Sequence, residues 1–160
     1  VAPAITTQPT SQTITLPHPA IFSVAFTGAP TPEIIWNING TDLPFGAGLT
    51  FTAGACTGGY TNLGGIINLS GLSAGCNGAT VRVRLSNSAG SVTSSTVTLT
   101  VNPAAVAPVI TTQPTSQTIT AGGGASYTVT ATGTPTPTYA WTLNGSPVGS
   151  GLPSCATARA

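Results

Sequence analysis

Residues 27–40 read "TGAPTPEIIWNING", and residues 132–145 read "TGTPTPTYAWTLNG". Both carry a glycine, a Pro-Thr-Pro group, a tryptophan and a closing Asn-Gly at the same places. The spacing is constant: Thr27 to Thr132, Trp36 to Trp141 and Ile5 to Ile110 are each 105 residues apart. The last pair opens an identity, "ITTQPTSQTIT" at 5–15 and again at 110–120. A repeat of that length is too long for a solenoid, whose units run about 20–50 residues. It matches one β-sandwich domain of about 100 residues.

The chain around the repeat reads as strand. "AIFSVAFTG" (20–28) sets Phe22, Val24 and Phe26 on one face and Ile21, Ser23 and Ala25 on the other. "ATVRVRLSN" (79–87) sets Val81, Val83 and Leu85 opposite Arg82 and Arg84, and "SVTSSTVTLTV" (91–101) groups Val97, Leu99 and Val101. Period-two alternation marks half-buried antiparallel strands. Gly-Ala-Pro-Thr-Pro, Asn-Gly and Ser-Ala-Gly fall at turn positions between the runs. No segment keeps a helical period beyond two turns.

Only 3% of the 160 residues are charged, against about 25% in an average globular chain. The inventory is Glu33, Asp42, Arg82, Arg84 and Arg159, with His18 the single imidazole and no lysine. A net charge of +1 leaves no electrostatic footprint for nucleic acid. Pro, Gly, Thr or Asn interrupts every apolar run before the roughly 20 residues a membrane span needs. With 40% apolar residues, disorder is not expected either. Val1 opens without a basic and apolar leader, so a secreted form would have had its signal removed.

No enzyme is expected. Glu33 and Asp42 are the only carboxylates, on either side of a predicted turn, where solvation is the ordinary role. A glycosidase pair is the reading set against it. His18 sits between Pro17 and Pro19 in a surface loop. The "AGGG" at 121–124 lacks the Lys-Ser/Thr and helix of a phosphate loop. No cofactor and no metal are expected, since no CxxC or Cys/His cluster exists. The cysteines are Cys56, Cys76 and Cys155. A Cys56–Cys76 disulfide is the preferred pairing, worth about 3 kcal/mol in the chain-entropy model, and it implies an oxidising compartment. Cys155 is then free or paired between chains.

The segment "FTG" or "ATG", the Pro-Thr-Pro group, the tryptophan and Asn-Gly together resemble the B–C–C′ region of bacterial immunoglobulin-like domains of the I-set type. "LSNSAGSVTSSTVTLTV" (85–101) looks like the F–G hairpin and G strand of that family. The resemblance covers residues 3–102 in full and 108–150 in part. It implies an all-β immunoglobulin-like sandwich. Residues 1–103 would form one complete domain, 104–108 a linker, and 109–160 a partial copy with A, B and C strands only. Trp36 and Trp141 match the buried tryptophan of strand C. Val24 and Val83, with Val129 in the second copy, stand where many members place a disulfide between strands B and F, so that bridge is replaced by apolar packing. Cys56 would fall between strands C and E and Cys76 near the E–F corner, a staple from loop to loop.

A half sandwich leaves Val129 and Trp141 without a facing layer and strand edges unpaired. Completion by another chain is therefore expected, with Ile110, Ile119, Val129, Trp141 and Cys155 as candidate interface residues. A truncated or incompletely determined sequence is the reading weighed against it. The expected role is a non-catalytic subunit of an extracellular fibre or adhesive surface filament, self-associating into a homopolymer. The alternative is a carbohydrate- or surface-binding module, carried as a fragment of a larger secreted protein. Phe45, Phe51 and Tyr60, with glycines around them, could make a sugar-stacking platform or loop packing. Asn39, Asn68 and Asn144 fit the acceptor pattern for covalent glycans, and Arg82 and Arg84 form a short basic stripe on an outer face.

Overall fold

The computed structural model describes residues 1–152 and 155–159, with the backbone alone from 149 onward. The chain divides into two units, Val1–Ala104 and Ala105–Ala160.

In the first unit the opening strand is split. β1 (Ala4–Thr7) and β2 (Gln12–Thr15) flank Pro9, which is buried. They are followed by β3 (Ala20–Ser23), β4 (Ala25–Thr27), β5 (Glu33–Ile38) and β6 (Thr41–Leu43). Then come β7 (Gly46–Ala53), β8 (Cys56–Asn62) and β9 (Ile66–Ser70), a 3₁₀ turn at Ala74–Cys76, and β10 (Ala79–Asn87), β11 (Gly90–Thr93) and β12 (Val97–Asn102). One sheet runs β2-β12-β10-β5-β6, with β11 on β10; the other runs β3-β9-β8-β7. β1 pairs antiparallel with β4, whereas β2 pairs parallel with β12. Proline supplies no ladder donor and suits a strand that must leave one edge for another.

The alternation read from the sequence places the core. Phe22, Val24, Ile34, Trp36, Val81, Val83, Leu85 and Leu99 are all buried, while Ile21 on the opposite face is exposed. Val83 lies directly across from Trp36 in the ladder. The Trp36 ring sits 6.4 Å from that of Phe22, and its Nε1 donates to the Gly64 carbonyl at 2.8 Å.

Residues 46–62 differ from the loop expected there. They form the β7–β8 hairpin, which joins the sheet through β9. Phe51 and Tyr60 face inward, ring centroids 6.3 Å apart, while Phe45 is 72% exposed. The three aromatics therefore make no shared platform. Cys56 and Cys76 form a disulfide, both fully buried. It ties the first residue of β8 to the 3₁₀ turn, so one end is in a strand and not in a loop as expected.

The Pro-Thr-Pro motif has a packing reason. A Cβ on Gly28 would meet Pro32 Cγ at 2.9 Å and Pro3 Cα at 3.2 Å; one on Gly133 would meet Pro137 Cγ at 3.0 Å and Pro108 Cα at 3.2 Å. Both units thus press a glycine against two prolines. Gly28→Ala is expected to cost about 1–3 kcal/mol by overpacking, read as a lower urea midpoint; an unchanged midpoint would dismiss the close approach. Asn39 and Asn144, at φ 48° and 50°, start the two Asn-Gly hairpin turns, the left-handed geometry that Asn tolerates. Asn39 also accepts a hydrogen bond from the Thr80 backbone N–H at 2.9 Å.

The second unit contains β13 (Val106–Thr112), β14 (Ser126–Thr134), β15 (Tyr139–Leu143), β16 (Ser146–Leu152) and β17 (Cys155–Arg159). β13 begins inside the stretch set aside as a linker. β13-β14-β17 form one sheet and β15-β16 another. The expectation of A, B and C strands only is thus too short. β16 follows the Asn-Gly turn, and β17 pairs with β14 as β9 pairs with β3. A backbone that leaves a hairpin beside an open edge gains ladder hydrogen bonds by adding to it.

Candidate functional site

The second unit builds an open apolar face from the repeated sequence. β14 supplies Val129 and β15 supplies Tyr139, both buried, with Ala131 and Trp141 half-buried against them. The Tyr139 hydroxyl accepts from the Ala131 N–H at 3.1 Å, which fixes the ring across β14. Pro108, Ile110, Pro137, Tyr139 and Trp141 line a cavity of about 370 Å³. Its lining carries no ionisable group other than the Tyr139 phenol, so shape and apolar contact govern what fits.

The two tryptophans differ in what surrounds them among the described residues. In the first unit, β5 pairs with β6 on one side and β10 on the other. In the second unit, β15 pairs with β16 alone among the described residues. Trp36 is fully buried and its N–H is bonded to Gly64. Trp141 is only half-buried as a residue, yet its Nε1 is shielded from solvent and meets no acceptor among the described residues. A shielded N–H without a partner costs about 1–3 kcal/mol. The same sequence motif therefore sits in two environments, one closed and one open.

The expected interface residues are dispersed. Val129 and Trp141 face the cavity, and Ile110, 51% exposed on β13, lines it. Ile119 is exposed in 113–120, a segment outside any strand although its sequence copies that of β2. The Cys155 backbone pairs with Thr130; its side chain lies outside the described residues. Pro108, Pro137 and Tyr139 were not singled out from the sequence. Tyr139 stands where the first unit has Ile34, and that exchange was its only signal.

Among the described residues the polar and ionisable side chains make local contacts. Asp42 Oδ1 accepts from Asn37 Nδ2 at 2.7 Å, and Arg84 approaches its other oxygen at 4.0 Å. His18 Nδ1 lies 2.8 Å from the Thr15 carbonyl in an exposed turn. Among the described residues no three His, Cys, Asp or Glu gather as a metal site, and no helix is long and apolar enough to cross a membrane.

No protein-family model and no curated protein matches the chain. Solved structures do. An I-band fragment of titin aligns at TM-score 0.57 and 16% identity, over 99% of this chain and 55% of that one. The titin domains z1z2, solved in complex with telethonin, align at TM-score 0.53 and 21% identity, over 99% and 81%. The N-terminal Ig1-2 module of Drosophila receptor protein tyrosine phosphatase DLAR aligns at TM-score 0.48 and 30% identity, over 92% and 74%. The two titin structures carry the fold assignment. The chain has an immunoglobulin-like fold.

Proposed function

We propose that this chain is a non-catalytic structural module of the cell surface or extracellular space, joined to further copies of itself by the open layer of its second unit. Trp141 carries the reading: its ring is laid on the apolar face as Trp36 is, but the strand beside it and the acceptor for its N–H are wanting among the described residues. A second copy can supply both by presenting a strand edge and apolar side chains, the mode of β-augmentation. Repeated head-to-tail contacts of this kind give filaments.

Three further features support the proposal. The Cys56–Cys76 disulfide fits an oxidising compartment. So few charges offer little repulsion between copies. A titin pair of the same fold was solved with a protein partner. In this reading the complete immunoglobulin-like domain is the rigid spacer and the second, partial one the connector.

Ile110→Asp places a carboxylate on the exposed rim of the cavity. In light scattering and negative-stain images of the full chain, the parent should form oligomers or fibres. The variant should need at least about tenfold more protein to do so, since the contact would bury an unpaired charge. Thermal melting of the first unit should not change. A parent that stays monomeric at every concentration, or a variant that assembles as readily, would overturn the reading.

A further inference from the structure

Three of the chain's five charged side chains meet on the outer face of the first unit's larger sheet. Arg82 on β10, Asn37 on β5 and Asp42 on β6 stand in one transverse row, paired Arg82 to Asn37 and Asn37 to Asp42. Arg84 follows two residues along β10, opposite Thr93 of β11. These five residues line a concavity of about 150 Å³. Its floor is ordered: Asn37, 8% exposed, donates to Asp42 Oδ1 at 2.7 Å and accepts from the Gly40 N–H at 3.0 Å.

The balance of charge in this concavity is uneven. Asp42 is engaged by Asn37 and, at 4.0 Å, by Arg84. No acidic group pairs with Arg82 among the described residues. Two guanidiniums thus face one carboxylate on a protein that is otherwise almost without charge. An arginine fork matches a planar carboxylate bidentately. On the far side of the row, two strand spacings or about 10 Å away, Asp42 offers an acceptor for a hydroxyl. Thr93 adds a hydroxyl of its own.

The geometry points to a binding site for a carboxylated sugar, a uronic acid unit of an acidic polysaccharide. Its carboxylate lies on Arg82, its ring lies over Asn37, and one of its hydroxyls donates to Asp42. The site is made by the first unit alone and does not depend on whether the second unit assembles. It is shallow and salt-sensitive, so it acts through many weak contacts along a polymer, and a chain of repeated modules multiplies them.

The test is a titration of the isotopically labelled full chain with sodium glucuronate, followed by amide shifts, beside glucose, acetate and a tetraglutamate peptide. Glucuronate should move amides of β5, β6, β10 and β11, and glucose should not. Arg82→Gln should weaken glucuronate binding about tenfold, the loss of one charged hydrogen-bonding partner. Asp42→Asn removes a negative charge beside the arginines and should tighten acetate, while glucuronate loses the charged acceptor of its hydroxyl. The resulting fall in preference for glucuronate over acetate is a split that a purely structural role would not produce. Melting curves would confirm that both variants remain folded. The assignment is overturned if glucuronate leaves these amides unmoved or if Arg82→Gln binds as the parent does. It is also overturned if tetraglutamate binds as tightly with no effect of Asp42→Asn, because the face would then read acidic peptide. The Ile110→Asp chain can be titrated in parallel, so failure of self-assembly and failure of this site are read separately.

Discussion

Trp36→Ala is expected to destabilise the first unit by about 4 kcal/mol, within the range for removing a large core aromatic. The side chain is wholly buried between the two sheets, packs beside Phe22 and donates to the Gly64 carbonyl. Its removal leaves a cavity where β5 meets β10 and strips an acceptor of its donor. Domains of this size hold about 5–15 kcal/mol in all, so the loss is a large share. It should appear as a fall in melting temperature of roughly 20 °C. Trp141→Ala should cost the second unit far less. That residue is only half-buried and its N–H has no acceptor among the described residues. Backbone amide hydrogen exchange of each variant, read separately over the strands of the first unit and of the second, separates the two. A loss below about 1 kcal/mol for Trp36→Ala would mean that the core does not depend on this residue.

The second large effect is loss of the disulfide. Cys56→Ala with Cys76→Ala is expected to lower stability by about 3 kcal/mol, chiefly by freeing the unfolded chain across a separation of 20 residues. Neither half-cystine has exposed surface, so a reductant must wait for the β7–β8 hairpin or the 3₁₀ turn to open. Reduction of the native protein should accordingly be slow and should speed up in mild urea. Cys155→Ser keeps the thiol count unambiguous in these measurements. Equal urea midpoints with and without the bridge would show that it contributes nothing to folding free energy.

Much of the fold could be read from strands with one wet and one dry face. Val81, Val83 and Leu85 alternate with Arg82 and Arg84, and the structure buries the first set and exposes the second. The tryptophan and Asn-Gly fixed the hairpin of β5 and β6 because only a few residues suit a left-handed turn. The β7–β8 hairpin was hidden for the opposite reason. Glycines at 46, 48, 54, 58 and 59 break the alternation that would mark strands, and pairing with β9 supplies what local propensity does not. The split between β1 and β2 was legible only as a proline kink, since which sheet each half joins is decided by partners far along the chain. In the second unit, Val129 and Trp141 were visible as core-type residues by homology to Val24 and Trp36. The cavity itself was not, because it depends on Pro108, Pro137 and Tyr139 converging from separate segments. The polar concavity was half legible: two arginines on one strand announced a stripe, while Asp42 and the Asn37 floor came from neighbouring strands.

The split opening strand has a consequence for refolding. In the first unit the edge of β12 is filled by residues 12–15, helped by Gln8 and Ser11, whose side chains accept hydrogen bonds from the backbone N–H groups of Ser95 and Thr98. Residues 113–120 repeat that entire set, Gln113 for Gln8, Ser116 for Ser11 and 117–120 for 12–15. A chain diluted from denaturant therefore holds two chemically equal claimants for one edge, and every contact made by the right one is available to the wrong one. During synthesis the tie is broken by order, because 5–15 leaves the ribosome before β12 exists and 110–120 only after it. Refolding from denaturant removes that precedence, and the two claimants then compete.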